Sequence, residues 1–108
     1  SFPTRRSSDL SGKASSQQNL GYCLDPRNNP AGDWQRASVC YRQASDTHRS
    51  VGETRLAGAA LHTAAFLMIQ TDGANMTEQT WEMFRLAAQY RRQAGDLEGA
   101  KASESWLR

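Results

Sequence analysis

Residues 56–69 read "LAGAALHTAAFLMI". Wound as a helix, this stretch is apolar nearly all the way round, with only His62 and Thr63 interrupting it. It holds no proline, and its one glycine, Gly58, stands near the start. A helix that is apolar on every side must be covered on every side. Its length falls short of the ~20 residues needed to span a bilayer. The stretch is therefore expected to be the central helix of a small all-α domain. Amphipathic helices should pack on it from the Trp34–Tyr41 face and from the Trp81–Ala88 face. Leu61, Ala65, Met68 and part of Phe66 should lie in the core.

Upstream, "DPRNNPAGD" (Asp25 to Asp33) is the clearest loop, with two prolines, one glycine and two asparagines. Asp33 is a good N-cap for "DWQRASVCYRQAS", in which Trp34, Ala37, Cys40, Tyr41 and Ala44 share one face. "DTHRSVG" (Asp46 to Gly52) reads as a break, with the central helix starting near Glu53. "NLGYCL" (Asn19 to Leu24) reads as the last turns of a helix. Residues 11–18, "SGKASSQQ", are small and polar without a period, so residues 1–18 are expected to be disordered or a frayed helix start. The domain is expected over residues 19–108.

Downstream, "QTDGANMT" (Gln70 to Thr77) is a second loop. Thr77 can cap the helix that follows, and Glu78 suits the positive end of its dipole. That helix should run to about Ala94, with Trp81, Phe84, Ala87 and Ala88 as its apolar stripe. Gly95-Asp96 makes a tight junction to a short last helix with Leu97, Ala100 and Leu107 inward. Nothing alternates as a strand does. About four helices are expected.

Two segments echo each other. "GDWQRASVCYRQA" and "GDLEGAKASESWL" both open with Gly-Asp and a large apolar residue, with Ala five positions after the Gly. Gly makes the turn, Asp caps the helix, and Ala admits a close neighbour. "NLGYCL…GDWQRASVCYRQAS" resembles the Sel-one-like repeat, a relative of the tetratricopeptide repeat. Leu20-Gly21 matches the pair that opens helix A in that family, Asp33 the residue that opens helix B, and Ala37 the alanine four residues on. Tyr41, Arg42, Gln43, Ala44 and Ser45 match its aromatic-Arg-Lys-Ala-Ala ending in part. Leu56-Ala57 follows Leu20-Gly21 by 36 residues, the period of the family. Departures are the loop "DPRNNPAG", Cys40 where the family has Trp, and a central helix too long for the register. Residues 77–107 resemble a tetratricopeptide repeat only loosely. The resemblance implies antiparallel helical hairpins of an α-solenoid, whose concave surface holds a peptide or protein.

The opening Ser1–Leu10, "SFPTRRSSDL", resembles one reading frame of a common sequencing adapter. That implies that Arg5 and Arg6 are no nucleic-acid arm and that these ten residues should pack little against the rest. The chain carries 13 basic and 11 acidic side chains, a net charge of +2. Without residues 1–10 the balance is 11 to 10, too near neutral to imply a nucleic-acid or membrane partner. Arginine outnumbers lysine 11 to 2, as in a GC-rich bacterial genome.

Chemistry is sparse. His62 has no Cys or acid three or four residues away, so helical metal-ligand spacing is absent. A core histidine satisfied by one hydrogen bond is expected. Cys23 and Cys40 lack a second pair for zinc and are expected to be two buried free thiols. On the repeat reading they could approach one another, and a disulfide would need an oxidising compartment. Glu78, Glu82, Glu98 and Glu104 are scattered over solvent faces without a His beside them. No phosphate loop or nucleophile elbow occurs. Asn75-Met76-Thr77 fits a glycosylation sequon. Arg85, Arg91 and Arg92 form the one local basic cluster, expected to be a solvated helix face. The expectation is thus a protein–protein interaction scaffold without catalysis, cofactor, metal or small-molecule substrate. The alternative is a small helical regulatory or nucleic-acid-binding domain using Arg85, Arg91 and Arg92.

Overall fold

A computed structural model describes the backbone of residues 2–72 and 76–107 and the side chains of residues 9–71 and 76–107. The apolar stretch lies within helix α3 (Thr54–Asp72), which is preceded by α1 (Phe2–Leu24) and α2 (Trp34–Ser50). After it come α4 (Glu78–Gln93), α5 (Leu97–Glu104) and a 3-10 turn (Ser105–Leu107). The protein is all-α, and no strand occurs among the described residues. Each helix packs on the helix before it and the helix after it in the chain. Short connections between neighbours favour this arrangement.

Coverage of α3 follows from its composition. α2 and α4 flank it, and Ala57, Leu61, Ala64, Ala65 and Leu67 are buried between them with Ala37, Tyr41, Met83, Phe84, Ala87 and Tyr90. Met68 and Phe66 are half-buried. Small residues set the spacing. Ser38 Oγ donates to the Ala64 carbonyl at 2.8 Å and Ser45 Oγ to the Ala57 carbonyl at 2.7 Å, which runs α2 antiparallel to α3. Both serines are buried, so the bonds remove the cost of two unpaired hydroxyls. On the other side, a Cβ at Gly58 would lie 3.0 Å from the Ala87 carbonyl oxygen and 2.7 Å from Arg91 Cγ. The glycine inside α3 is thus where α4 comes closest.

Helix starts follow local chemistry. The Asp33 carboxylate accepts from the Gln35 and Arg36 amides, Thr77 Oγ1 from the Thr80 amide, and Asp96 from the Gly99 amide. Gly52 and Gly95, after α2 and α4, take φ of +81° and +80°, which a side chain would strain.

Several expectations differ from the structure. Residues 1–18 are not disordered over the described part: α1 is helical from Phe2. Ala14 is wholly buried, Thr47 donates to Gln17 Oε1, and Ser11 donates to Glu53 Oε1. These bonds to distant residues hold a segment that has no apolar period of its own. Leu10 is half-buried, and the Phe2 side chain lies outside the described ones. Among the described residues five α-helices occur rather than about four. The break at Asp46–Gly52 shrinks to Val51-Gly52-Glu53, because His48 is buried and extends α2. Trp81 is 41% exposed. Phe84, Ala87 and Ala88 are buried as expected, together with Met83 and Tyr90, and Thr80 takes the place given to Trp81. Leu97 is 53% exposed at the first position of α5; Ala100 faces inward as expected, and Ser103 joins it. Asn75, with its sequon, lies outside the described residues.

Truncating Leu61 to Ala should destabilise the domain by about 2–5 kcal/mol in urea unfolding, because the site is enclosed by α2 and α4. A second comparison tests α1 and its exit. Gly12 has nothing within 4 Å of an added Cβ, whereas one at Gly32 would lie 2.1 Å from the Leu24 carbonyl oxygen. Gly12→Ala should therefore raise the melting temperature, by about 0.5–1 kcal/mol of helix propensity. Gly32→Ala should lower it.

Candidate functional site

An exposed apolar surface with a defined shape lies between α1 and α2. A groove of about 300 Å³ is lined by Leu20, Leu24, Gln35, Arg36, Val39 and Cys40. Leu20 is 54% and Val39 47% exposed. Their outward position follows from the contact beside them. A Cβ at Gly21 would meet the Tyr41 ring at 3.1 Å and Cys40 Cβ at 3.3 Å, so Gly21 is the point where α1 touches α2. Leu20, one residue earlier, is turned about 100° away from that contact. Burial raises the pKa of the Cys40 thiol, and the charge of Arg36 offsets part of the rise. Cys40 is buried as expected, but Cys23 is exposed, and both are free. Cys23 lies two residues beyond the Gly21 contact, on the outward side of α1.

The loop beside the groove is held by one buried acid. The Asp25 side chain has no exposed surface and accepts from the Arg27 amide at 2.9 Å and Nε at 3.0 Å. Asn28 and Asn29 donate to the Tyr22 and Cys23 carbonyls, closing the end of α1. The Arg27 guanidinium also lies 5.1 Å from the centre of the Phe66 ring on α3. Burial alone would raise the pKa of Asp25, but the hydrogen bonds and charge of Arg27 outweigh it and hold the carboxyl below its usual value.

A polar cluster occupies the opposite side of α3. His62 Nδ1 lies 2.8 Å from Ser103 Oγ on α5 and 3.5 Å from Arg91 Nη1 on α4. Arg91 Nη1 donates to the Gly99 carbonyl at 2.9 Å and to Ser103 Oγ at 3.1 Å. The two hydrogens of Arg91 Nη1 go to Gly99 and Ser103, so toward His62 the guanidinium acts as a charge beside the ring. Burial, and then the charge of Arg91, lowers the His62 pKa to about 4. Ser103 is wholly buried, so no substrate reaches its hydroxyl as it stands. The Phe84 ring meets the His62 ring edge to face at 5.3 Å, and Trp106 stacks on Phe84 at 5.2 Å.

The sequence singled out His62 without its partners, since Ser103 is 41 residues away. It missed a second junction entirely. His48 Nδ1 lies 3.0 Å from Glu53 Oε1 and Nε2 3.3 Å from Gln18 Oε1, tying α2 to the start of α3 and to α1. The hydrogen bond from His48 holds the Glu53 carboxyl below its usual pKa; partial burial opposes it and the Ser11 hydroxyl assists. The basic cluster does not form one surface. Arg85 pairs with Glu82, Arg92 pairs with Glu104, and Arg91 turns inward to the His62 cluster. Among the described residues no group of three His, Cys, Asp or Glu side chains could hold a metal, and no helix is long and apolar enough to cross a membrane. Comparison of the chain with family models, curated proteins and solved structures finds no match.

Replacing Asp25 by Asn should lower stability at neutral pH. A carboxyl whose pKa falls on folding stabilises above its unfolded value of 3.8, and that contribution is lost as pH falls. Urea unfolding curves of parent and Asp25→Asn should therefore differ at pH 7 and draw together as pH falls below 3.8.

Proposed function

We propose that the protein is a non-catalytic protein–protein interaction module built of antiparallel helical hairpins, similar to Sel-one-like and tetratricopeptide repeats. The observation that carries the reading is the like behaviour of two residue pairs one period apart. Leu20-Gly21 lies in the last turns of α1, not at a helix start, and Leu56-Ala57 in the first turn of α3, but in both the leucine is exposed and the small residue is buried at a contact with α2. Gly21 meets Tyr41, and the Ala57 carbonyl accepts from Ser45. The Gly-Asp echoes behave alike too. Asp33 and Asp96 cap their helices, and Ala37 and Ala100 are wholly buried. Sequential packing of helices is also what a repeat array requires.

The groove between α1 and α2 is the surface on which a peptide or protein would dock, with Leu20 and Val39 as apolar contacts and Arg36 at its edge. The competing reading is a nucleic-acid-binding or regulatory domain using Arg85, Arg91 and Arg92. It has less support, because two of these arginines are paired with glutamates and the third is turned inward.

Selection of a displayed peptide library on the full chain should return apolar peptides that bind it. Their affinity should persist at high salt and fall at least about tenfold in Leu20→Asp and Val39→Asp, a loss of 1.4 kcal/mol or more. Both positions are exposed, so the variants should keep their melting temperature. Binding to single- or double-stranded DNA that weakens steeply with salt, and is insensitive to these two changes, would favour the competing reading.

A further inference from the structure

We propose that α5 and the 3-10 turn form an acid-released latch, held to α3 by the Ser103–His62 hydrogen bond and let go when His62 takes up a proton. The latch is short. α5 has eight residues, and of its side chains Ala100 and Ser103 are the buried ones. Toward α3 its polar attachment is the hydroxyl of Ser103, 2.8 Å from His62 Nδ1; toward α4, Ser103 Oγ and the Gly99 carbonyl accept from Arg91 Nη1 and Glu104 pairs with Arg92.

Protonation makes donors of both ring nitrogens, so the ring offers the Ser103 hydroxyl no acceptor, and it places a second cation 3.5 Å from Arg91 Nη1. The charges around the ring offer no relief. From α4 the charged group at the ring is Arg91, whose Nε is buried without a partner among the described residues. From α5 the nearest acid to Arg91 is Asp96, whose carboxylate already caps the helix through the Gly99 amide. Glu104 is paired with Arg92 on the exposed side. α2 lies on the far flank of α3, where it contacts Ala57 and Ala64 through serines. The 3-10 turn adds only Trp106, which lies over Phe84 and against Phe66 at 6.0 Å. Separating α5 from α3 lets water reach both cations. It also uncovers Phe84, which is otherwise wholly buried.

The direction in pH is set by linkage. The ring titrates near its ordinary 6.5 when released and near 4 when latched. The latch is therefore intact above 6.5 and weakens as pH falls, the release equilibrium rising about tenfold for each pH unit between these two values.

The test uses the full chain with Trp34→Phe and Trp81→Phe, which leaves Trp106 as its only indole. From pH 7 to 3, Trp106 emission should shift to the red in a step that precedes loss of the far-ultraviolet helix signal. Amide exchange should show α5 losing protection while α3 keeps it. His62→Gln, which can accept from Ser103 but does not titrate, should abolish the early step. Coincident loss of Trp106 signal and total helix in the parent would overturn the latch, as would an early step unchanged in His62→Gln. Should His62→Gln fail to fold, the NMR titration of the His62 ring in the parent decides. A ring midpoint displaced from that of α5 exchange, or a ring that does not titrate across the step, would equally overturn it.

Discussion

A helix that is apolar all round has no face to show to water, and this constraint on α3 orders the rest of the domain. α2 covers one side through Ala37, Tyr41 and two serines; α4 covers the other through Met83, Phe84, Ala87 and Tyr90. The cover is close because the contact residues are small. Gly58 admits the Ala87 carbonyl, and Ala57, Ala64 and Ala65 are wholly buried. Larger side chains there would force the helices apart and open voids around Leu67 and Phe84.

The outer helices are attached differently. α1 and α5 have few apolar residues to bury, and polar bonds to distant partners do much of the joining. α1 is tied by Ser11, Gln17 and Gln18 to Glu53, Thr47 and His48. α5 is tied by Ser103 to His62 and Arg91. A core of alanines supports a tight central layer but leaves the edges reliant on hydrogen bonds, each of which contributes only about 0.5–1.5 kcal/mol net. The groove beside Leu20 and the latch at Ser103 both lie at such edges. Low local stability of this kind is common where proteins bind or move.

The sequence by itself determined the helical class, the three helix starts at Asp33, Thr77 and Asp96, and the burial of Leu61 and Ala65. Capping bonds span two or three residues, and an unbroken apolar run forces burial whatever surrounds it, so neither needs a partner to be legible. The tertiary structure alone decided that residues 11–18 belong to α1, since their support comes from residues about 30 or 40 positions away. It also decided that Thr80 rather than Trp81 faces α3, because a one-residue choice within an amphipathic stripe depends on how the neighbouring helix is rotated. His48 and His62 show the same limit most plainly. Glu53 is only five residues from His48, but Gln18, Ser103 and Arg91 stand on other helices, and only packing brings them beside His48 and His62.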